Sequence, residues 1–127
     1  MQELTKEWVD KAEKDIYSAD LLLHAGEVPV PDYACFHCQQ GAEKYPKAYL
    51  QERQIEFERK HNLIPLVLLC QSLDSDFKQL KKDLSQLERY AVVVRYPGIA
   101  ISVNTAEDAL KAADRVRKFV RRKLKAE

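Results

Sequence analysis

The sequence predicts an all-α fold: an up-and-down antiparallel bundle of four main helices plus one short helix, in a single domain spanning residues 1–127. Three observations carry this. Apolar residues recur at three- and four-residue spacing along most of the chain. Proline and glycine gather between those stretches, at 26–31 and 97–98, and leave short connections. Strand-like β-branching occurs only around Ala91-Val92-Val93-Val94, with no second strand pattern to pair with it. A chain of 127 residues buries roughly two-thirds of its unfolded surface, enough for a core without metal or disulfide.

From Leu4 to Ala25, an apolar stripe of Trp8, Ala12, Ile16, Ala19, Leu22 and Leu23 opposes Lys6, Glu13, Lys14 and Asp20. Gly26 tolerates the left-handed conformation that ends a helix, and Pro29 and Pro31 bar its resumption. Asp32 then caps a second helix from Tyr33 to about Arg53, with Ala34, Cys38, Ala42, Tyr45 and Tyr49 on one stripe. Pro46 lies inside that pattern. It removes a backbone donor and its ring presses on the carbonyl of Ala42, which predicts a kink or a local break.

After a polar, irregular stretch over 54–60, Asn62 caps a short third helix through Leu63, Leu66, Val67 and Cys70. Pro65 suits its first turn, where a missing N–H costs nothing. Phe77, Leu80, Leu84, Leu87 and Tyr90 set a fourth helix between about Asp76 and Val92. Arg95-Tyr96-Pro97-Gly98 ends any regular element, so 93–103 reads as an extended loop. Asn104 or Thr105 caps the last helix, with Glu107 and Asp108 in its positive first turn. Its apolar stripe is Ala106, Ala109, Ala113, Val116, Val120 and Leu124.

Charge excludes the simplest functional argument. Twenty-one Lys and Arg against 20 Asp and Glu leave a net charge of +1, so any case for nucleic acid rests on local clustering. The longest apolar run, Leu63 to Cys70, falls far short of the roughly 20 residues that span a bilayer, which predicts no membrane partner. The first residues alternate charge with apolar side chains and lack an export signal, so the expected location is cytoplasmic. Three cysteines, an odd number, fit a reducing compartment with no disulfides.

Few residues carry chemistry. Cys35 and Cys38 form a C-x-x-C on the second helix, but a closed zinc site needs four ligands and only Cys70 and scattered histidines remain. Buried packing is the better reading, and neither metal nor cofactor is expected. His24 stands at the end of the first helix, where an imidazolium favours the negative dipole end. His37, Gln40 and Lys44 share one face of the second helix, with Gln39 and Glu43 adjacent. Such a stripe must find partners in other helices, a second subunit or a ligand.

Tyr90 and the loop residues Arg95 and Tyr96 combine aromatic rings with a guanidinium, chemistry suited to stacking a base and pairing a phosphate. The alternative is a turn in which Arg95 pairs with a carboxylate and Tyr96 packs on the bundle. On the last helix Lys111, Arg115, Lys118, Arg122 and Lys125 follow at spacings of four, three, four and three, a basic stripe supplemented by Arg117 and Arg121. It is either a solvated helix face or a footprint for RNA or an acidic partner.

Taken in order, several pieces resemble the HEPN domain family: Trp8 with Lys11-Ala12-Glu13-Lys14-Asp15; Asp32-Tyr33-Ala34-Cys35-Phe36-His37-Cys38-Gln39-Gln40-Gly41-Ala42-Glu43-Lys44; Lys60-His61-Asn62-Leu63; and Arg95-Tyr96-Pro97-Gly98 before an alanine-rich helix. The likeness runs from about Thr5 to Lys123. It implies an all-α bundle, usually a homodimer, often with a separate nucleotidyltransferase partner in two-component, toxin–antitoxin-like modules.

Many members of that family are metal-independent ribonucleases, in which a histidine follows an arginine after four to six residues and the dimer joins two such pairs. Arg95 matches the arginine, yet no histidine follows it, and neither Arg53 nor Arg59 has one at that distance. No catalytic residue is therefore assigned. The expectation is a non-nucleolytic, dimeric module that binds a nucleotide or the nucleotidyltransferase through the Arg95-Tyr96 loop and the His37, Gln40, Lys44 face. The alternatives are a ribonuclease that pairs Arg95 with a displaced His37 or His61, the basic helix guiding RNA, and a purely structural dimer.

Overall fold

The computed structural model describes residues 1–58, 60–92 and 96–125. Five α-helices follow in order: α1 (Glu3–His24), α2 (Pro31–Glu52), α3 (Leu63–Leu73), α4 (Lys81–Glu88) and α5 (Val103–Lys125). Two 3₁₀ segments, Ser75–Leu80 and Arg89–Ala91, extend α4 at both ends. Among the described residues there is no strand. The fold is all-α, as the helical periodicity predicts.

Contacts between the ends fix the topology. Glu52, at the end of α2, accepts hydrogen bonds from the Gln2 amide at 2.9 Å and the Thr5 hydroxyl at 3.0 Å, so α1 and α2 run antiparallel. His24 at the end of α1 meets Glu107 near the start of α5, while Glu13 meets Arg117 and Arg121 further along, so α5 also runs against α1. Lys123 pairs with Asp74 and Asp76, and Arg115 with Asp83, which sets α4 against α5. The four main helices are thus α1, α2, α5 and α4 with its 3₁₀ extensions; α3 is the short one.

α2 lies at the centre of the core. Ala34, Cys35, Cys38, Ala42, Tyr45, Ala48, Tyr49 and Leu50 are all fully buried. Tyr49 meets Phe77 at a ring-centroid distance of 4.5 Å, and Phe77 meets Phe119 edge-on at 5.0 Å, joining α2 to the 3₁₀ segment and α5. Gly41 marks the close approach of α1: a Cβ there would stand 2.8 Å from Ile16 Cδ1 and 3.3 Å from the Ala12 carbonyl oxygen.

Several local expectations need correction. Pro31 opens α2 instead of blocking it, because its missing N–H falls among the donors a first turn leaves unpaired anyway. Asp32 accordingly sits within the first turn and does not cap it. Of the kink or break expected at Pro46, the break does not occur: α2 continues as helix through it, and burial of Tyr45, Pro46, Ala48 and Tyr49 in the core outweighs the lost backbone bond, a cost of about 3 kcal/mol. The fourth helix begins as a 3₁₀ segment whose Asp76 amide donates to the Asp74 carboxylate at 3.0 Å.

α5 starts at Val103, with Ser102 Oγ accepting from the Thr105 amide at 3.1 Å. Ser102 is therefore the cap in place of Asn104 or Thr105, and Glu107 and Asp108 lie beyond the first turn. Asn62 precedes α3 as expected but makes no side-chain cap bond. Residues 99–102 of the predicted loop are irregular; Val93, Val94 and Arg95 lie outside the described residues.

Candidate functional site

α2 carries two adjacent polar rows. The first is the face read from the sequence, and α1 satisfies its His37 and Lys44. His37 Nδ1 stands 3.0 Å from Asp15 Oδ1, Lys44 Nζ bonds the other Asp15 oxygen, and Gln40 donates to Gln39 Oε1 at 2.6 Å. Asp15 thus holds His37 and Lys44 together across the helix pair.

The second row is Gln39, Glu43 and Lys47, spaced four apart and so stacked on one side of α2. Glu43 is 2% and Lys47 5% exposed. Lys47 Nζ lies 3.4 Å from Glu43 Oε2, while Glu43 Oε1 is 2.8 Å from His61 Nδ1. Gln39 donates to the His61 carbonyl at 3.2 Å, holding the start of α3 against α2. The Lys47 ammonium also stands 5.5 Å from the Trp8 ring centroid and 5.9 Å from that of Phe57. Those rings meet edge-on at 5.9 Å. A buried ammonium is costly unless a carboxylate and electron-rich faces replace its water, and Glu43, Trp8 and Phe57 do so.

This arrangement walls a groove of about 1010 Å³ whose lining includes Trp8, Lys47, Phe57, His61, Gln51 and Gln54. Glu43 engages His61 Nδ1, and among the described residues Nε2 makes no hydrogen bond. The His61 side chain is 67% exposed. Aromatic rings, an ammonium, carboxamides and an imidazole form a set that can stack a planar base, pair its edge and meet a phosphate.

The other predicted site residues lie apart. Tyr90 is 3% exposed; burial, with Cys35 nearby, pushes its phenol above the ordinary 10.0. Arg89 covers its ring at 5.4 Å. Among the described residues no hydrogen bond, ion pair or ring contact joins Tyr90 to His37, Gln40 or Lys44. Tyr96 is exposed, and Arg95 lies outside the described residues. His24 does stand in the last turn of α1, where it bonds Asp20 at 2.7 Å and also Glu107 of α5.

All five stripe residues, Lys111, Arg115, Lys118, Arg122 and Lys125, are exposed on α5. Arg115 grips Asp83 at 2.9–3.2 Å and Lys118 pairs with Asp114 at 2.9 Å. Arg117 and Arg121 turn instead to Glu13 on α1. Burial pushes the Glu13 carboxyl up, yet the Arg117 hydrogen bond and the charges of both arginines hold it below the ordinary 4.5.

Cys35, Cys38 and Cys70 are buried free thiols, which burial raises to about 11, 12 and 12. Among the described residues, no group of three or more His, Cys, Asp and Glu is placed to hold a metal ion, and no helix is long and apolar enough to cross a membrane.

Trp8, Lys47 and Phe57 are the site residues that sequence reasoning missed. Trp8 reads as part of an apolar stripe and of the family resemblance, neither of which marks it as a site residue, and Phe57 stands in an irregular stretch. The four-residue spacing of Gln39, Glu43 and Lys47 was the available signal.

A family model described as HEPN domain matches residues 5–123. No curated protein matches the chain. Solved structures with the same fold include TT1696 from Thermus thermophilus, 24% identical with a TM-score of 0.79, covering 96% of this chain and 99% of that one. They also include ST0689, an archaeal HEPN homologue, 24% identical with a TM-score of 0.74, covering 97% and 98%.

Proposed function

Because the chain belongs to the HEPN domain family, we propose that it is a non-nucleolytic module that binds a nucleotide and docks a protein partner. The observation that carries the nucleotide half is the Lys47 ammonium set between the Trp8 and Phe57 rings at the wall of the groove, with His61 at its edge. Aromatic faces stack a base, and the Lys47 ammonium can donate to its phosphates.

The non-nucleolytic half rests on the missing histidine after Arg95. Support for docking lies at the opposite end of the bundle from the groove. Val28, Tyr33, Ile99 and Val103 are exposed there, around the end of α1 and the starts of α2 and α5. Exposed apolar side chains gathered at one end suit an interface. On the family's pattern, its occupants are a second copy and a nucleotidyltransferase.

Calorimetric titration with ATP, GTP, CTP and UTP tests the nucleotide reading. Saturable binding of at least one, lost in Trp8→Ala and kept in Trp8→Phe, is expected. No heat with any of the four, or cleavage of RNA by the wild-type chain without metal, would overturn it.

A further inference from the structure

We infer that the outer face of α5 is a docking track for the phosphodiester backbone of a nucleic-acid strand, separate from the groove beside Trp8. Between Arg115 and Lys125 the chain has seven Lys and Arg and no Asp or Glu, in a protein whose net charge is only +1. The structure sorts these cations into two sets. Arg117 and Arg121 turn inward to Glu13, and Lys123 to Asp74 and Asp76. Arg115, Lys118, Arg122 and Lys125 stay outward, in line with Lys111 one turn earlier. At the helical rise, Lys111 to Lys125 spans about 21 Å, a linear array of charge.

The outward set faces a groove of about 660 Å³ lined by Gln79, Arg115, Lys118, Arg122 and Lys125. Its one acid, Asp83, is taken by Arg115 through Nε and Nη2. That grip holds the guanidinium in place while Nη1 makes no hydrogen bond or ion pair among the described residues. Arg122 and Lys125 have no ion pair among the described residues. Lys118 pairs with Asp114 of its own helix at 2.9 Å, with its side chain 66% exposed. Phosphates approaching this face therefore meet two uncommitted cations, Arg122 and Lys125, and two held by one carboxylate each, and each phosphate neutralised releases counterions.

The same face argues against a protein occupant. Its apolar floor, Leu80 and Phe119, is 3% and 6% exposed, and the exposed large apolar residue of α5 is Val103, at the far end of the helix. An interface between proteins draws most of its energy from buried apolar or aromatic anchors, whereas nucleic-acid interfaces are polar and strongly positive.

The test is fluorescence anisotropy of labelled single strands, RNA in one arm and DNA in the other, across a salt series. Binding of either strand is expected, with a linear dependence of log affinity on log salt. Lys118→Gln/Arg122→Gln/Lys125→Gln should weaken it by about tenfold or more and lower the slope by about 0.7 for each phosphate no longer neutralised. These side chains are exposed, so the triple variant's thermal melt should match the wild type. Lys6→Gln/Lys11→Gln/Lys14→Gln removes the same charge from α1 and should leave binding within about twofold. The inference is overturned if neither strand binds, if the α1 variant weakens binding equally, or if poly-glutamate of equal charge competes as well as the strand.

Discussion

His61 Nδ1 stands 2.8 Å from Glu43 Oε1, so the residue that leads into α3 is bonded to a carboxylate nearly sealed inside α2. The other oxygen of that carboxylate holds Lys47. Removing the acid alone leaves an ammonium buried without its counter-charge, so Glu43→Ala should cost about 3–5 kcal/mol. Glu43→Leu combined with Lys47→Met removes both charges and should recover most of that loss. Urea unfolding of the three chains measures it; a double variant as unstable as Glu43→Ala would show that the charge pair is not the reason.

Gly41→Ala sets helix propensity against space. Alanine gains about 1 kcal/mol over glycine inside a helix. Its Cβ, however, would meet Ile16 Cδ1 at 2.8 Å and the Ala12 carbonyl at 3.3 Å, and overpacking costs about 1–3 kcal/mol. The single substitution should be net destabilising. In an Ile16→Ala background, where the nearer clash is gone, it should be neutral or stabilising. Additive effects in the double-mutant cycle would contradict the close approach.

His24 should make the contact between α1 and α5 pH-dependent. Hydrogen bonds to Glu107 and then Asp20 raise its pKa above the ordinary 6.5. A raised folded-state value means that the imidazolium's contribution is fully present below about 6.5 and is lost as pH rises through the folded value. The difference in Tm between wild type and His24→Gln should therefore be largest near pH 6 and shrink as pH rises through the folded value. A difference that grows with pH would reverse the assignment.

The three thiols should be silent in the native protein. Cys35, Cys38 and Cys70 are fully buried, and burial holds them protonated at pH 8. A thiol reagent at that pH should therefore find none at first, and all three in guanidinium. Rapid reaction of any one in the native state would mean that α2 or α3 packs less closely than described.

Much of the fold was legible because apolar spacing reports burial directly: Ala34, Cys38, Ala42, Tyr45 and Tyr49 share one stripe in the sequence, and all are buried. Helix boundaries were harder. Pro31 is compatible both with ending a connection and with opening a helix, and only the packing of α2 decides between them. Ser102 outcompeted Asn104 and Thr105 as a cap, since each of the three is a good capping residue and the choice depends on where the loop docks.

The candidate site was less legible than the fold. The His37 and Lys44 face was visible as a stripe, but its partner Asp15 lies on another helix at a separation that no local period encodes. Lys47 carries no local signal that sets it apart from other helix charges; only the convergence of Trp8 from α1 and Phe57 from beyond α2 does so. Tyr90 shows the converse: aromatic character alone does not distinguish a stacking platform from a core residue.

Trp8 is the only tryptophan in the chain and lines the groove, so its fluorescence tests the nucleotide reading most directly. Titrating the wild-type protein with nucleoside triphosphates should change that emission saturably, with the same midpoint as the calorimetric heat, and Lys47→Met should weaken the response about tenfold or more by removing the cation that meets the phosphates. Emission that stays constant while calorimetry reports binding would place the nucleotide elsewhere and contradict the assignment of this groove.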